Sequence, residues 1–271
     1  MVSANDFVNK LVESVRKKKF ADYIKASPEE VAESLRGKHI FVSGEFATEK
    51  PGPGQSKVGG NPDLPESLPW LAEEETASPL AFIAQINLGE VHKHDLSGRL
   101  PEKGMLWFFT IADGDRAYGE GIDESTSAVL YDPDPGILSP REMPAELLEE
   151  NEFALIEERR LLFGPSVSLS GYTDSGITDA IVDALREIGG RRGSVHILTQ
   201  YRPSDYSSDE DEDSGDDSEG SDAEMVSLIE MDGYEISSDI FVEGIIEFVL
   251  SEADLVAGKL ERASCQFTAG T

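Results

Sequence analysis

Apolar positions recur at helical spacing near the start of the chain. Phe7, Val8, Leu11, Val12 and Val15 share one face, which predicts an amphipathic helix over residues 5–19 with Asn5 or Asp6 near its cap. Ser27-Pro28-Glu29-Glu30 then supplies a cap residue, a proline at the first helical position and a capping-box glutamate. A second helix follows, turning Val31 and Leu35 inward until Gly37. Beyond it the period shortens. His39–Ser43, Leu80–Leu88, Gly104–Ile111, 124–131, 153–163, Val195–Tyr201, Met225–Met231 and Gly244–Leu250 are short β-branched or aromatic runs punctuated by Gly and Pro, and they read as strands. Leu80–Leu88 is apolar throughout except for Gln85 and Asn87, the pattern of a strand buried on both faces. Asp174–Ile188 returns to helical period, with Ile177, Ile181, Val182, Leu185 and Ile188 on one face and Gly189-Gly190 as its stop. Short helices are expected at 144–150 and 252–257. A last strand near 262–268 holds Cys265 as a small core residue.

One stretch has nothing to bury. Of the 21 residues from Ser204 to Glu224, eleven are Asp or Glu and six are Ser, with no Lys or Arg. A run that repels itself is expected to be a disordered loop. Asp209, Asp211 and Asp213 have calcium-loop spacing, but the glycine falls one position late at 215, and Gly220 stands where a bidentate Glu belongs. Weak cation association is the expectation there, not a shaped metal site.

Charge narrows the partners. The 271-residue chain carries a formal net charge of −31, so binding to nucleic acid or to anionic membranes is not expected, and basic proteins are the expected partners, engaged through residues 204–224. The two basic groups read as structural: Arg16–Lys19 ends a helix, where cations suit its negative terminus, and Arg191-Arg192 sits in a Gly-flanked turn. No run approaches the roughly 18 apolar residues of a membrane span, and Met1–Asp6 shows no secretory leader. The lone cysteine fits a reducing compartment, so a cytoplasmic location is expected, or a nuclear one in a eukaryotic host.

The chain repeats itself. Gly60, Gln85 and Gly104 in one part are echoed by Gly171, Gln200 and Gly244 in another. The glycine-to-glutamine spacings are 25 and 29 residues. The glutamine-to-glycine spacings are 19 and 44, and removal of the 21-residue acidic tract brings the longer one close to the shorter. Repeat one spans about 56–111 and repeat two about 165–250, with the tract inserted in one loop. Either Val195–Tyr201 or Met225–Met231 is the counterpart of the Gln85 strand.

Three blocks carry a family resemblance: Ser56-Lys-Val-Gly-Gly-Asn-Pro-Asp-Leu-Pro65 with Trp70, Pro79–Leu88 with its Gln-Ile-Asn-Leu, and Leu100-Pro-Glu-Lys-Gly-Met-Leu-Trp-Phe-Phe109. In content and spacing they resemble the YwqG-like family, closely over 56–109 and in outline to 268. After residue 165 the chain departs from the family pattern, with Ile236–Gly244 where a Met-Trp-Gly-Asp segment is expected. The resemblance implies an α+β fold: one β-rich domain, 38–268, of two intertwined pseudo-symmetric repeats, preceded by a helical segment at 1–37. It implies no established activity.

No residue set commits to catalysis. His92 and His94, with Asp95, stand at strand spacing, but no further zinc ligands are nominated. Gly164–Gly171 contains no Gly-x-Ser-x-Gly, and Gly59-Gly60 and Gly114–Gly119 lack the strand–loop–helix setting of a dinucleotide site. No catalytic residue, cofactor or metal site is therefore expected. Gln85 and Asn87 alternate on one strand and so share a face. They either satisfy backbone groups of the irregular Gly-Pro segments or line a polar cleft with Lys57, Asp63, Trp70 and Gln200. Ser207, Ser208, Ser214 and Ser221 each have an acidic residue three positions on, the context read by acidophilic kinases. An interaction module with an acidic loop is the leading expectation. An enzyme or small-ligand protein with a cleft between the repeats is the alternative.

Overall fold

The computed structural model describes residues 2–73, 75–111, 122, 125–150, 156–201, 224–236 and 244–269. The acidic tract up to residue 223, with Ser207, Ser208, Ser214 and Ser221, lies outside them, as does Gly114–Gly119. Ten strands form one antiparallel sheet in the order β12-β11-β10-β9-β1-β8-β2-β4-β5-β6. Its strands are β1 (Ile40–Phe46), β2 (Lys57–Val58), β4 (Ala81–Asn87), β5 (Met105–Thr110), β6 (Ser127–Asp132), β8 (Arg159–Val167), β9 (Val195–Gln200), β10 (Met225–Asp232), β11 (Gly244–Ser251) and β12 (Ser264–Ala269). Two short strands, β3 (Asp63–Pro65) and β7 (Leu138–Pro140), pair separately.

The sheet curls until it nearly closes. Its two terminal strands meet where the Cys265 backbone N–H donates to Ser127 Oγ at 3.1 Å. Phe108 of β5 and Phe248 of β11, far apart in strand order, touch edge to face with centroids 4.9 Å apart. Phe82, Trp107 and Phe109 are also fully buried. Buried aromatics of this size are the main apolar stabilisation of such an interior, about 1.5–3 kcal/mol for each fully buried side chain. Cys265 joins this core, and burial pushes its thiol far above the ordinary range, so it is inert packing.

Helices cover a second, smaller core. α1 (Ala4–Val15) starts at Ser3, whose Oγ accepts from the Asp6 N–H. α2 (Pro28–Ser34) carries the expected capping box, with Ser27 Oγ accepting from the Glu30 N–H and Glu30 Oε2 accepting from the Ser27 N–H. Phe7, Leu11 and Val15 of α1, Val31 of α2 and Ile181 and Leu185 of α5 (Ser175–Glu187) pack together against Val167 of β8. α1 stops at Val15, four residues earlier than its period predicts. Arg16, expected to offset the helix terminus, instead reaches Glu29 and Glu33 of α2 and ties the two helices together.

Three local expectations are corrected. Asn87 ends β4 by capping a short helix, its Oδ1 accepting from the Gly89 N–H at 3.0 Å. Residues 88–94 are therefore α3 (Leu88–Val91) and a 3-10 turn (His92–His94), so His92 and His94 are not at strand spacing. Strand β8 begins at Arg159, later than the apolar run at 153, and continues through Gly164 and Pro165. Proline fits because β2 pairs with β8 only at Arg159 and Arg160. Further along, that edge has no ladder partner needing a donor. Residues 144–150 and 252–257 contain α4 (Ala145–Glu150) and α6 (Glu252–Val256), as expected. No helix among the described residues is long and apolar enough to cross a membrane.

Candidate functional site

Four of the six residues nominated for a polar cleft meet in one buried network. Asp63 Oδ2 accepts from Gln85 Nε2 at 2.7 Å and from the Gly54 N–H at 2.9 Å, and lies 3.6 Å from Lys57 Nζ. Gln85 Oε1 accepts from the Asp63 N–H, and Gln85 Nε2 also reaches Gln55 O. Asn87 Nδ2 donates to Gly54 O. Lys57, Asp63 and Gln85 are almost fully buried. Their polar atoms thus hold the irregular segment 54–65 onto β4, adding side-chain partners for its backbone at Gly54, Gln55 and Asp63. Trp70 stands apart, donating to Leu80 O and meeting Phe109 edge-on. Gln200 is in the other half of the sheet.

Gln200 leads to a groove of about 770 Å³ on the outer face of β9, β10 and β11, bounded by Phe41, residues 168–172 and α5. Register builds it. His196 of β9 pairs with Glu230 of β10, which pairs with Glu247 of β11, which pairs with Gln266 of β12. Directly opposed residues of antiparallel strands project to the same side, so these four form a polar row across the sheet. Leu198 adopts φ +61°, uncommon for a leucine, and this kink breaks the alternation of β9. Thr199 thereby joins His196 on the groove side: Thr199 Oγ1 donates to Glu230 Oε2 at 3.1 Å, and His196 Nδ1 is 3.1 Å from Glu230 Oε1. His196 Nε2 lies 2.8 Å from Gly193 O, so both ring nitrogens face acceptors. Arg192 adds a guanidinium 6.0 Å from the centre of the Phe41 ring.

The two carboxyl groups of the row are driven apart. Burial works to raise Glu230, but the hydrogen bonds and charges of His196, Thr199 and Arg192 outweigh it and hold this carboxyl below its ordinary range. Burial pushes Glu247 up to about 7, the charge of Glu230 adds to the rise, and only the Ser227 hydroxyl opposes it. Burial also lowers the Arg192 guanidinium, with Glu230 opposing.

A stability consequence follows for Glu247. The folded protein keeps a proton on this carboxyl that the unfolded chain releases near 4.5, its ordinary value. The folded state binds more protons between those values, so stability falls as pH rises from about 4.5 to about 7 and then levels off. Glu247→Gln removes the effect. In urea titrations the variant is expected to be more stable than the parent at pH 8, by on the order of 1 kcal/mol after screening of this half-buried group, and equal to it at pH 4. Equal stability at both pH values would show that Glu247 ionises freely.

From the sequence Arg192 reads as part of a structural turn and His196, near the start of its strand, as structural, while Glu230, Glu247 and Thr199 are not singled out. The signal was local: Glu230 and Glu247 are lone acids inside Leu-Ile-Glu-Met and Ile-Ile-Glu-Phe. A single charge within an apolar strand marks a polar face. Among the described residues no group of three or more His, Cys, Asp or Glu side chains is arranged to hold a metal ion.

Fold and groove together define a β-rich domain built on one nearly closed antiparallel sheet, with a polar groove on its outer face. The chain belongs to the family described as a domain of unknown function (DUF1963), whose model matches residues 56–268. The match begins at Ser56, at the start of the first block of the sequence resemblance, and ends in β12. A search of curated proteins finds no match to this chain.

Proposed function

We propose that this protein is a non-enzymatic interaction module that engages basic segments of partner proteins, with residues 204–224 attracting them and the neighbouring groove receiving them. One observation carries the reading. Gln200, the last residue of β9, lines the groove and pairs with Val226 of β10, so the strand ends that flank the acidic tract in sequence lie beside the groove. Eleven carboxylates in that tract, on a chain of net charge −31, give a field that favours cationic partners and weakens with salt. Phosphorylation of Ser207, Ser208, Ser214 and Ser221 would deepen it by about −1.5 to −2 per site. Native protein free of phosphate at all four would remove that part of the proposal.

The test is fluorescence anisotropy with a labelled Lys/Arg-rich peptide, comparing the intact protein with a form lacking 204–224 at low and moderate salt. Deletion is expected to weaken binding roughly tenfold or more at low salt, and added salt to narrow the difference. Equal binding by both forms, or none by either, would overturn the reading. The alternative, an enzyme or small-ligand protein, is favoured by the opposite shifts of Glu230 and Glu247 in one groove.

The duplicated architecture, the domain limits 38–268 and the YwqG-like resemblance belong to the same proposal. Outward from the central pair the strands run β1-β9-β10-β11-β12 on one side and β8-β2-β4-β5-β6 on the other. This ranking supports β10 as the partner of the Gln85 strand, and it pairs the glycine-led β5 and β11. An internal superposition that fails to overlay Gly104 on Gly244 would count against it.

A further inference from the structure

The groove contains an unbalanced charge. Glu230 is answered three times, by His196 at 3.1 Å, by the Thr199 hydroxyl at 3.1 Å and by the charge of Arg192. Glu247 stands directly opposite it on the next strand, where among the described residues the Ser227 hydroxyl is what favours its charged form. Like charges on directly opposed positions of adjacent strands destabilise a sheet. Two carboxyl groups, one guanidinium and the imidazoles of His39 and His196 share a cavity of about 770 Å³ with room for a ligand. Ile245 and Thr268, which also line it, provide an apolar and a hydroxyl surface beside Glu247. A group that brings one positive charge on an apolar stem would complete the set.

We infer that the groove is a pocket for a single cationic side chain, the ammonium of lysine or the guanidinium of arginine, held between Glu247 and Glu230 with its stem against Ile245. This deepens the proposed function and rests on it for the source of the cation, a partner protein. The two are separable, because the pocket residues named here lie on β9, β10 and β11 and can be varied without deleting the tract. Binding transfers a proton from the Glu247 carboxyl to solvent and leaves two carboxylates facing two cations. The charged and titratable groups that line the groove with Glu247 are Glu230 from β10, His196 and Arg192 from β9 and the turn before it, His39 before β1 and Tyr172 before α5, and Cys265 lies through the sheet on β12. Of the two carboxyls, Glu247 is the one that burial keeps protonated, so it has a proton to release when a cation enters.

The experiment is calorimetry on the full chain with Nα-acetyl-lysine amide and Nα-acetyl-arginine amide, and with their uncharged counterparts from norleucine and citrulline. The cationic probes are expected to bind tighter at pH 8 than at pH 6, with proton release visible as a buffer-dependent heat, and the neutral ones not to bind. Glu247→Gln is expected to weaken the cationic probes roughly tenfold or more, the loss of a charge-assisted contact. Unfolding curves at pH 8 show whether that variant is folded, and Ile245→Ser, which keeps both carboxyls, should weaken binding without changing the proton release. Equal binding of charged and neutral probes, or no binding of either, overturns the pocket. If basic peptides still bind through the tract in that case, the proposed function survives alone. If the small cations bind and the peptides show no dependence on the tract, the pocket stands and the module reading falls.

Discussion

Asp63→Ala is expected to cost about 3–5 kcal/mol, the range found when one partner of a buried ion pair is removed. Asp63 is the hub of the network beneath residues 54–65. Its loss leaves the Gly54 N–H unpaired and removes one of the two acceptors of Gln85 Nε2. The Lys57 ammonium, almost fully buried, keeps only Glu158 at 2.9 Å. Trp107 Nε1 donates to the Asp63 backbone carbonyl, so movement of this residue is felt in the main core. For a chain of this size the loss corresponds to a fall in melting temperature on the order of 10 °C. Asp63→Asn keeps one acceptor and drops the charge, and should cost less. Denaturant titration of both variants checks the argument. An alanine variant within about 1 kcal/mol of the parent would mean that the network adds little to the net stability.

The second large effect is at Gly59. Its φ is +63°, a region costly for any residue with a Cβ, and an added Cβ would lie 2.2 Å from the carbonyl oxygen of Ile156. The obstacle is backbone. Gly59 N–H donates to Ile83 O of β4 and Gly60 N–H to Ile156 O, so neither side can yield without breaking the seam between β2 and its neighbours. Gly59→Ala is expected to destabilise by roughly 3 kcal/mol or more, strain and overpacking together. Gly98 is the control: its φ is +68°, yet a Cβ there meets nothing within 4 Å. Gly98→Ala should show the strain alone, about 1 kcal/mol. Equal losses at the two sites in thermal melts would remove the steric argument.

These two sites mark how far the sequence could be read. The start of α2 was legible because its cap is local, Ser27 and Glu30 announcing it three residues apart, whereas α1 is capped by Ser3, ahead of the Asn5 or Asp6 expected. The long apolar strands were legible because burial on both faces leaves a run such as Ala81–Asn87 almost free of polar residues. Gln85 stood out for the same reason, although which segment it satisfies depends on a loop 22 to 30 residues away. The short strands β2, β3 and β7 were not legible, since two or three residues have no period and exist only by pairing. β8 was misplaced because Gly164 and Pro165 usually punctuate strands. Here pairing with β1 decides, and the side chain of Arg191 occupies the place of the missing Gly164 Cβ. The groove was the least legible part. His196, Glu230 and Glu247 are neighbours only through the registers of β9, β10 and β11, and register between paired residues 34 and 17 positions apart leaves no mark in either segment alone.

The seam between β6 and β12 also governs the order in which the molecule can be completed. β1 emerges early in synthesis, but its partner β8 follows about 120 residues later, and the wall that meets β6 is made last. Until residues 264–269 leave the ribosome, the sheet is open at one edge and the aromatic interior around Phe108 and Phe248 is accessible to water and to chaperones. Folding therefore finishes after translation of this segment, and a topology of such distant pairings sets a slow pace for it. A nascent chain stalled before Ser264 would present unpaired strand edges that the finished molecule conceals.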